Sequence, residues 1–94
     1  MDRDAYVDKM KAQIEEWNAE IDKFQAKAKA AEADARIKYE EQIKEMKAQR
    51  DKAEEKLREA RDASEKAWED MGKSMTTAWD AISTGFRNAM KRFQ

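Results

Sequence analysis

Residues 67–93 read AWEDMGKSMTTAWDAISTGFRNAMKRF, and the spacing of the large side chains in this stretch decides the predicted fold. The large apolar residues recur at steps of three, four and four, so that an eleven-residue unit repeats. Eleven residues make three helical turns plus about 20°, which keeps these side chains in one stripe along a straight helix. The members of this C-terminal stripe are Trp68, Met71, Met75, Trp79, Ile82, Phe86, Met90 and Phe93.

Small side chains lie beside the C-terminal stripe on the helical wheel. These flanking residues are Ala67, Ser74, Ala78, Gly85 and Ala89. A ridge of large side chains next to a groove of small ones allows two helices to interlock. The pattern therefore predicts that this segment packs against another helix.

A second stripe occupies the first third of the chain and has a different period. Its members alternate steps of three and four residues, which is the heptad pattern of a left-handed coiled coil. They are Val7, Met10, Ile14, Trp17, Ile21 and Phe24, followed by Ala28, Ala31 and Ala35. The next members are Tyr39, Ile43 and Met46. The change to longer steps after Ala35 predicts a stutter that locally unwinds the supercoil.

Residues that break helices are almost absent. The chain has no Pro and two Gly, Gly72 and Gly85, and strong helix formers dominate the rest. The eleven-residue phase continues through Gly72 without a shift, although a loop would leave the phase free to reset. A continuous or kinked helix is therefore favoured over a break at this glycine.

The predicted fold is all-α: one long helix, continuous or kinked, that forms a coiled coil with heptad and eleven-residue periodicity. Its sections are a charged coiled-coil helix over residues 1–71 and an amphipathic helix over residues 72–94, which continues the first or is hinged to it. A single helix from Asp4 to Met90 would be about 130 Å long. Because 44% of the residues are charged and many of the apolar ones are Ala, we expect the 94-residue chain to bury little core of its own.

Composition argues against catalysis and against several classes of ligand. The chain has no His and no Cys, and no Gly-rich phosphate loop or zinc-ligand spacing occurs. Adjacent carboxylates such as Glu15 and Glu16 diverge by about 100° around a helix and are expected to be solvated. We therefore predict no enzymatic activity, no cofactor, no metal and no small-molecule substrate. The formal net charge of −1 also predicts no binding to nucleic acid.

The chain shows no apolar leader and no run of about 18 apolar residues, which predicts a soluble, cytoplasmic protein. Four segments carry a resemblance to a known group: YVDKMK at 6–11, WNAEID at 17–22, ADAR at 33–36 and AWED at 67–70. Through them the chain resembles short bacterial coiled-coil proteins described as apolipoprotein-like. The resemblance implies a helical fold of unassigned activity and transfers no catalytic or binding residues.

The leading interpretation infers the function of the chain from its two apolar stripes. It describes a non-enzymatic structural or interaction protein, a coiled coil that self-associates as a homo-oligomer or docks on another helical protein. One alternative is binding to a membrane surface, in particular to lipid-packing defects, through the C-terminal amphipathic helix. Another alternative is a stress-protective helix that folds on drying, which the eleven-residue period and the high charge suggest.

Overall fold

A computed structural model describes residues 2–92 and folds them into three helices. The helices are α1 (Arg3–Ala30), α2 (Ala33–Asp62) and α3 (Glu65–Lys91). Two-residue connections reverse the chain twice, so that α1 and α3 run parallel to each other and antiparallel to α2. The resulting bundle measures 52 × 17 × 15 Å. The all-α prediction is confirmed, and the described residues contain no strand.

The prediction of one long helix is wrong for the described residues. The chain leaves helical geometry at residues 31–32 and again at residues 63–64, and its longest dimension is 52 Å rather than about 130 Å. Local propensity favours continuing the helix at both places, but packing of apolar faces supplies most of a helix's stability in water. Folding back lets the stripes bury one another. Supercoiling of the helices stays a prediction.

The first turn, at residues 31–32, lies close to the change of step that follows Ala35 in the heptad stripe. Ala28 is buried at the end of α1, Ala35 is exposed, and burial resumes at Gln42 and Ile43. The phase resets because α1 and α2 each turn their own face to the core. The shift that predicted a stutter therefore arises from a turn between two helices.

The second turn is placed by a helix cap. Ser64 has extended backbone angles, and its Oγ accepts a hydrogen bond from the Ala67 N–H at 3.1 Å. Asp2 caps α1 in the same way, with Oδ1 accepting from the Asp4 N–H at 3.1 Å. Gly72 lies inside α3, which continues through it, so the helix boundary falls before residue 65 rather than at residues 71–72.

Arginine side chains close the ends of two helices that have no terminal glycine. Arg36 donates from Nε to the Ala28 carbonyl and from Nη2 to the Ala31 carbonyl, each at 3.2 Å. Arg3 donates from Nη1 to the Ala63 carbonyl at the end of α2. A cation at a helix C-terminus satisfies carbonyls that lack partners and complements the helix dipole.

The core runs along the axis of the bundle and takes side chains from all three helices. Its α2 members include Ala53 and Ala60, both fully buried, which let the neighbouring helices approach closely. The expectation that the chain buries little core of its own is therefore wrong. The buried apolar residues are Tyr6, Val7, Met10, Ile14, Trp17, Ile21, Phe24, Ala28, Ile43, Met46, Ala53, Ala60, Trp68, Met75, Trp79, Ile82, Phe86 and Ala89.

Candidate interaction site

Most residues of the two predicted stripes lie in the core of the chain itself. From α1, the buried members are Val7, Met10, Ile14, Trp17, Ile21 and Phe24. From α3, the buried members are Trp68, Met75, Trp79, Ile82 and Phe86. Met71 and Met90 are half-buried against the same core, and Phe93 lies outside the described residues. The two stripes thus meet within one molecule.

An aromatic cluster of Trp17, Trp79 and Phe86 joins the two stripes at the middle of the bundle. The Trp17 ring stacks on Phe86 with centroids 4.8 Å apart and on Trp79 with centroids 5.5 Å apart, at interplanar angles of 17° and 18°. Aromatic pairs at such distances add about 0.5–1.5 kcal/mol beyond the area they bury. The cluster is therefore the strongest single attachment of α3 to α1.

A second ring pair attaches the beginning of α3 to the beginning of α1. The Tyr6 and Trp68 centroids lie 5.6 Å apart with the planes tilted by 46°. Tyr6 was not in the predicted stripe, although it directly precedes the stripe member Val7. Its one-residue offset from the heptad register hid it, because a helix can bury two adjacent positions when two neighbours flank it.

The small flanking residues of α3 include Gly85, which lies against the Gln49 side chain of α2. A Cβ atom on Gly85 would lie 2.8 Å from Cδ of Gln49, well inside normal contact distance. Ala89 is buried, and Ala78 is half-buried. Gly85 therefore leaves room for the Gln49 side chain between the helices, whereas Ala67 and Ser74 of the same flank are exposed.

A buried glutamine that the sequence reasoning missed holds the other end of α3. Gln42 is 1% exposed, and its Nε2 donates to the Met90 carbonyl in the last turn of α3. Arg92 forms an ion pair with Glu45 one turn further along α2. The signal was the step of four from Gln42 to the buried Met46, which a search restricted to apolar residues passes over.

The environment of Tyr6 raises the pKa of its phenol above the ordinary value of 10.0. Burial is the largest cause, because it disfavours the phenolate, and the negative charge of Asp80 acts in the same direction. A hydrogen bond with Thr76 favours the ionised form and offsets part of the rise. Tyr6 is thus a neutral core side chain at physiological pH.

The raised pKa of Tyr6 predicts that the bundle loses stability in alkaline solution. Because the folded state holds the phenolic proton more tightly than the unfolded state, this stability is complete below pH 10 and falls as pH rises through the folded pKa. We expect the decline in unfolding free energy above pH 10 to be shallower in Tyr6→Phe. Urea titrations at pH 8, 10 and 11 measure it. Tyr39→Phe is the control, and equal slopes in Tyr6→Phe and the parent chain would contradict the assignment.

The outward surface of the described chain offers little large apolar area. Ile37 is the one large hydrophobic residue exposed there, at 58%. The middle of the outer side of α3 is also poor in charge, since Asp80 is the only charged residue between positions 74 and 86. Within residues 2–92, no helix combines the length and apolar content needed to cross a membrane.

Comparison with protein-family models, with curated proteins and with solved structures finds no match. The resemblance to short bacterial coiled-coil proteins therefore stays a prediction. The candidate site is defined by geometry alone. It is an apolar face on α3, seated in the groove between α1 and α2, and the end of α3 is attached to Gln42 and Glu45 of α2.

Proposed function

We propose that this chain is a non-enzymatic interaction protein that works by docking α3, through its apolar stripe, on a pair of helices. The observation that carries the proposal is the aromatic cluster, in which Trp79 and Phe86 of α3 stack on Trp17. In the isolated chain, the groove between α1 and α2 holds this face. A helical partner or another copy of the chain would offer an equivalent groove.

The distribution of apolar surface supports a docking mode in which α3 leaves the groove of its own chain and enters the groove of a partner. On the described surface, Ile37 is the only large hydrophobic side chain that is exposed, so the outside lacks the contiguous apolar patch typical of a permanent interface. The buried stripes of α1 and α3 are the two large apolar faces of the bundle, and that of α3 carries two of the three tryptophans. Binding through it requires α3 to leave the groove.

The free energy lost when α3 leaves its groove limits which partners can bind it. Each large buried side chain contributes about 1.5–3 kcal/mol, so the five buried members of the α3 stripe contribute an amount comparable to the whole net stability of a small domain, about 5–15 kcal/mol. Only a partner that buries the same side chains again can offset their release. A polar or flat surface would not compete with the chain's own groove.

A fluorescent peptide of residues 65–91 added to the intact chain tests this proposal. We expect the peptide to enter the groove in exchange for the chain's own α3 once its concentration approaches the effective concentration of that tethered helix, which is on the order of millimolar for a short linker. Binding should be slow, since opening of the bundle limits its rate, and fluorescence anisotropy follows it over hours.

The control is the same peptide carrying Trp79→Ser and Phe86→Ser, which retains charge and length but loses the cluster. It should fail to bind at concentrations where the parent peptide saturates. The proposal is wrong if neither peptide binds at a concentration of several millimolar, above the effective concentration of the tethered α3, or if both bind equally.

The outer side of α3 supports a second candidate, binding to a membrane surface. Between residues 74 and 86 its exposed residues include Ser74, Thr77, Ala81 and Thr84, and a helical segment with such a weakly charged polar face and an aromatic stripe suits lipid-packing defects. Flotation with small, highly curved vesicles of neutral lipid tests it. No flotation of the intact chain would remove this candidate.

Two further parts of the proposal rest on composition, and one alternative function can be tested by folding. The absence of His and Cys supports the non-enzymatic assignment, and the lack of cysteine suits a cytoplasmic location. The stress-protective alternative requires a chain that is unfolded in dilute buffer. A cooperative thermal transition by circular dichroism would count against that alternative.

A further inference from the structure

We propose that the partner of α3 is a second copy of this chain, in a domain-swapped dimer that opens at Ala63 and Ser64. In this dimer, α3 of each copy fills the α1–α2 groove of the other. The inference rests on the proposed function, because it names the partner for the same docking face. Domain swapping reuses native contacts and needs no new binding surface.

The backbone of the second turn carries no conformational lock. Ala63 has φ −69° and ψ 139°, and Ser64 has φ −68° and ψ 165°. Both φ angles already match an α-helix, so rotation about ψ alone would convert the turn into helix. Neither residue is Gly or Pro, and no described residue has a positive φ. The turn persists because tertiary contacts favour it.

The polar groups that hold the turn would satisfy each other in a continuous helix. In the closed bundle, the Ala63 carbonyl accepts from Arg3, while the Ala67 N–H donates to the Ser64 hydroxyl. Residues 63 and 67 are spaced i and i+4, so the Ala67 N–H would donate to the Ala63 carbonyl once residues 63 and 64 became helical. Opening this hinge therefore leaves no backbone group without a partner.

The first turn is held by contacts that departure of α3 does not disturb, so it stays closed. Arg36 bridges the Ala28 and Ala31 carbonyls, and all three residues belong to the α1–α2 hairpin. Departure of α3 does not remove any of them. The hairpin thus remains as the receiving groove, and α3 is the element that exchanges.

The contacts between α2 and α3 predict the symmetry of the dimer. Gln42 contacts Met90 and Gln49 faces Gly85, and the midpoints of these pairs are residues 66 and 67. Keeping the same pairs between copies requires two antiparallel helices of residues 33–91, each about 88 Å long. Their two-fold axis passes beside Ala67, which is exposed in the closed chain.

Proline at the first residue of α3 separates the closed and swapped forms. Glu65→Pro suits the closed bundle, because Pro is favoured at the first helical position and Ser64 already has the extended backbone preferred before Pro. In a continuous helix the same proline costs about 3 kcal/mol per copy. We expect Glu65→Pro to weaken the dimer by a factor of about 10⁴, measured by sedimentation equilibrium after refolding at 10–500 µM.

Two matched variants complete the experiment. Ala33→Pro places proline at the first residue of α2, after Glu32 with φ −68° and ψ 163°, and should leave the dimer unchanged. Ser64→Ala removes the cap that favours the turn, and we expect it to strengthen the dimer about 30-fold. Ala67→Cys should form a disulfide between copies under oxidation, in a chain that otherwise has no Cys.

Each result has a distinct meaning. Dimers that tolerate Glu65→Pro as well as Ala33→Pro would overturn the swap while leaving self-association in place. A chain that stays monomeric in Ser64→Ala at 500 µM would also overturn it, whereas the proposed docking function fails if the α3 peptide does not bind or if its serine variant binds equally well.

Discussion

Replacing Ile21 by Asp is expected to unfold the chain, whereas the same replacement at Ile37 is expected to change its stability by no more than about 0.5 kcal/mol. Ile21 is 2% exposed in the core and Ile37 is 58% exposed on α2. A buried carboxyl without a partner costs several kcal/mol in addition to the lost apolar burial. Both positions lie inside helices, so the difference in helix propensity between Ile and Asp is the same in both variants.

Urea denaturation followed by circular dichroism at 222 nm measures this pair of variants. Ile21→Asp should show no cooperative transition at pH 7, while Ile37→Asp should keep the midpoint and the slope of the parent chain. Equal loss at both positions would mean that Ile37 is covered in solution. That outcome would point to an interface over the first turns of α2.

Replacing Trp17 by Ala is expected to cost about 3–5 kcal/mol, a large share of the stability of a small domain. Trp17 is 6% exposed and stacks on both Trp79 and Phe86, so its removal opens a cavity where α1 meets α3. The milder pair Trp17→Leu and Phe86→Leu preserves enough apolar volume for a double-mutant cycle. We expect a coupling energy of about 0.5–1.5 kcal/mol between the two rings.

A second cycle provides the control for the cluster. Tyr6→Leu and Phe86→Leu involve rings near different ends of α3, since Tyr6 pairs with Trp68. Their effects should add to within about 0.5 kcal/mol. Non-additivity of the same size in both cycles would argue against a specific stack and would indicate global loosening of the core.

Periodicity alone identified the helical state and most of the core-facing residues. The heptad and eleven-residue steps selected positions that are buried in α1 and α3, because side-chain burial along a helix follows its turn of 3.6 residues. Gln42 and Tyr6 escaped this reasoning. Gln42 is polar although it is buried, and Tyr6 lies one residue outside the heptad register.

The two turns were harder to predict, because their residues are all compatible with a helix. Ala31, Glu32, Ala63 and Ser64 include neither Gly nor Pro, and none of them adopts a positive φ. Two weak signals were present: the change of step after Ala35, and a serine at position 64 that can cap a helix. The first also fitted a continuous helix, as a stutter, and a serine is also tolerated inside a helix.

Helical periods and stripe membership depend on local spacing, and so they could be read from residue order before any contact was known. The choice between a long helix with exposed stripes and a bundle with buried ones depended on tertiary contacts. Trp17 contacts Trp79 and Phe86 only after the chain has reversed twice. The residues that gain free energy from this contact are far in sequence from the turns that make it possible. Because the turns have little local preference of their own, packing of the helices decides whether they form.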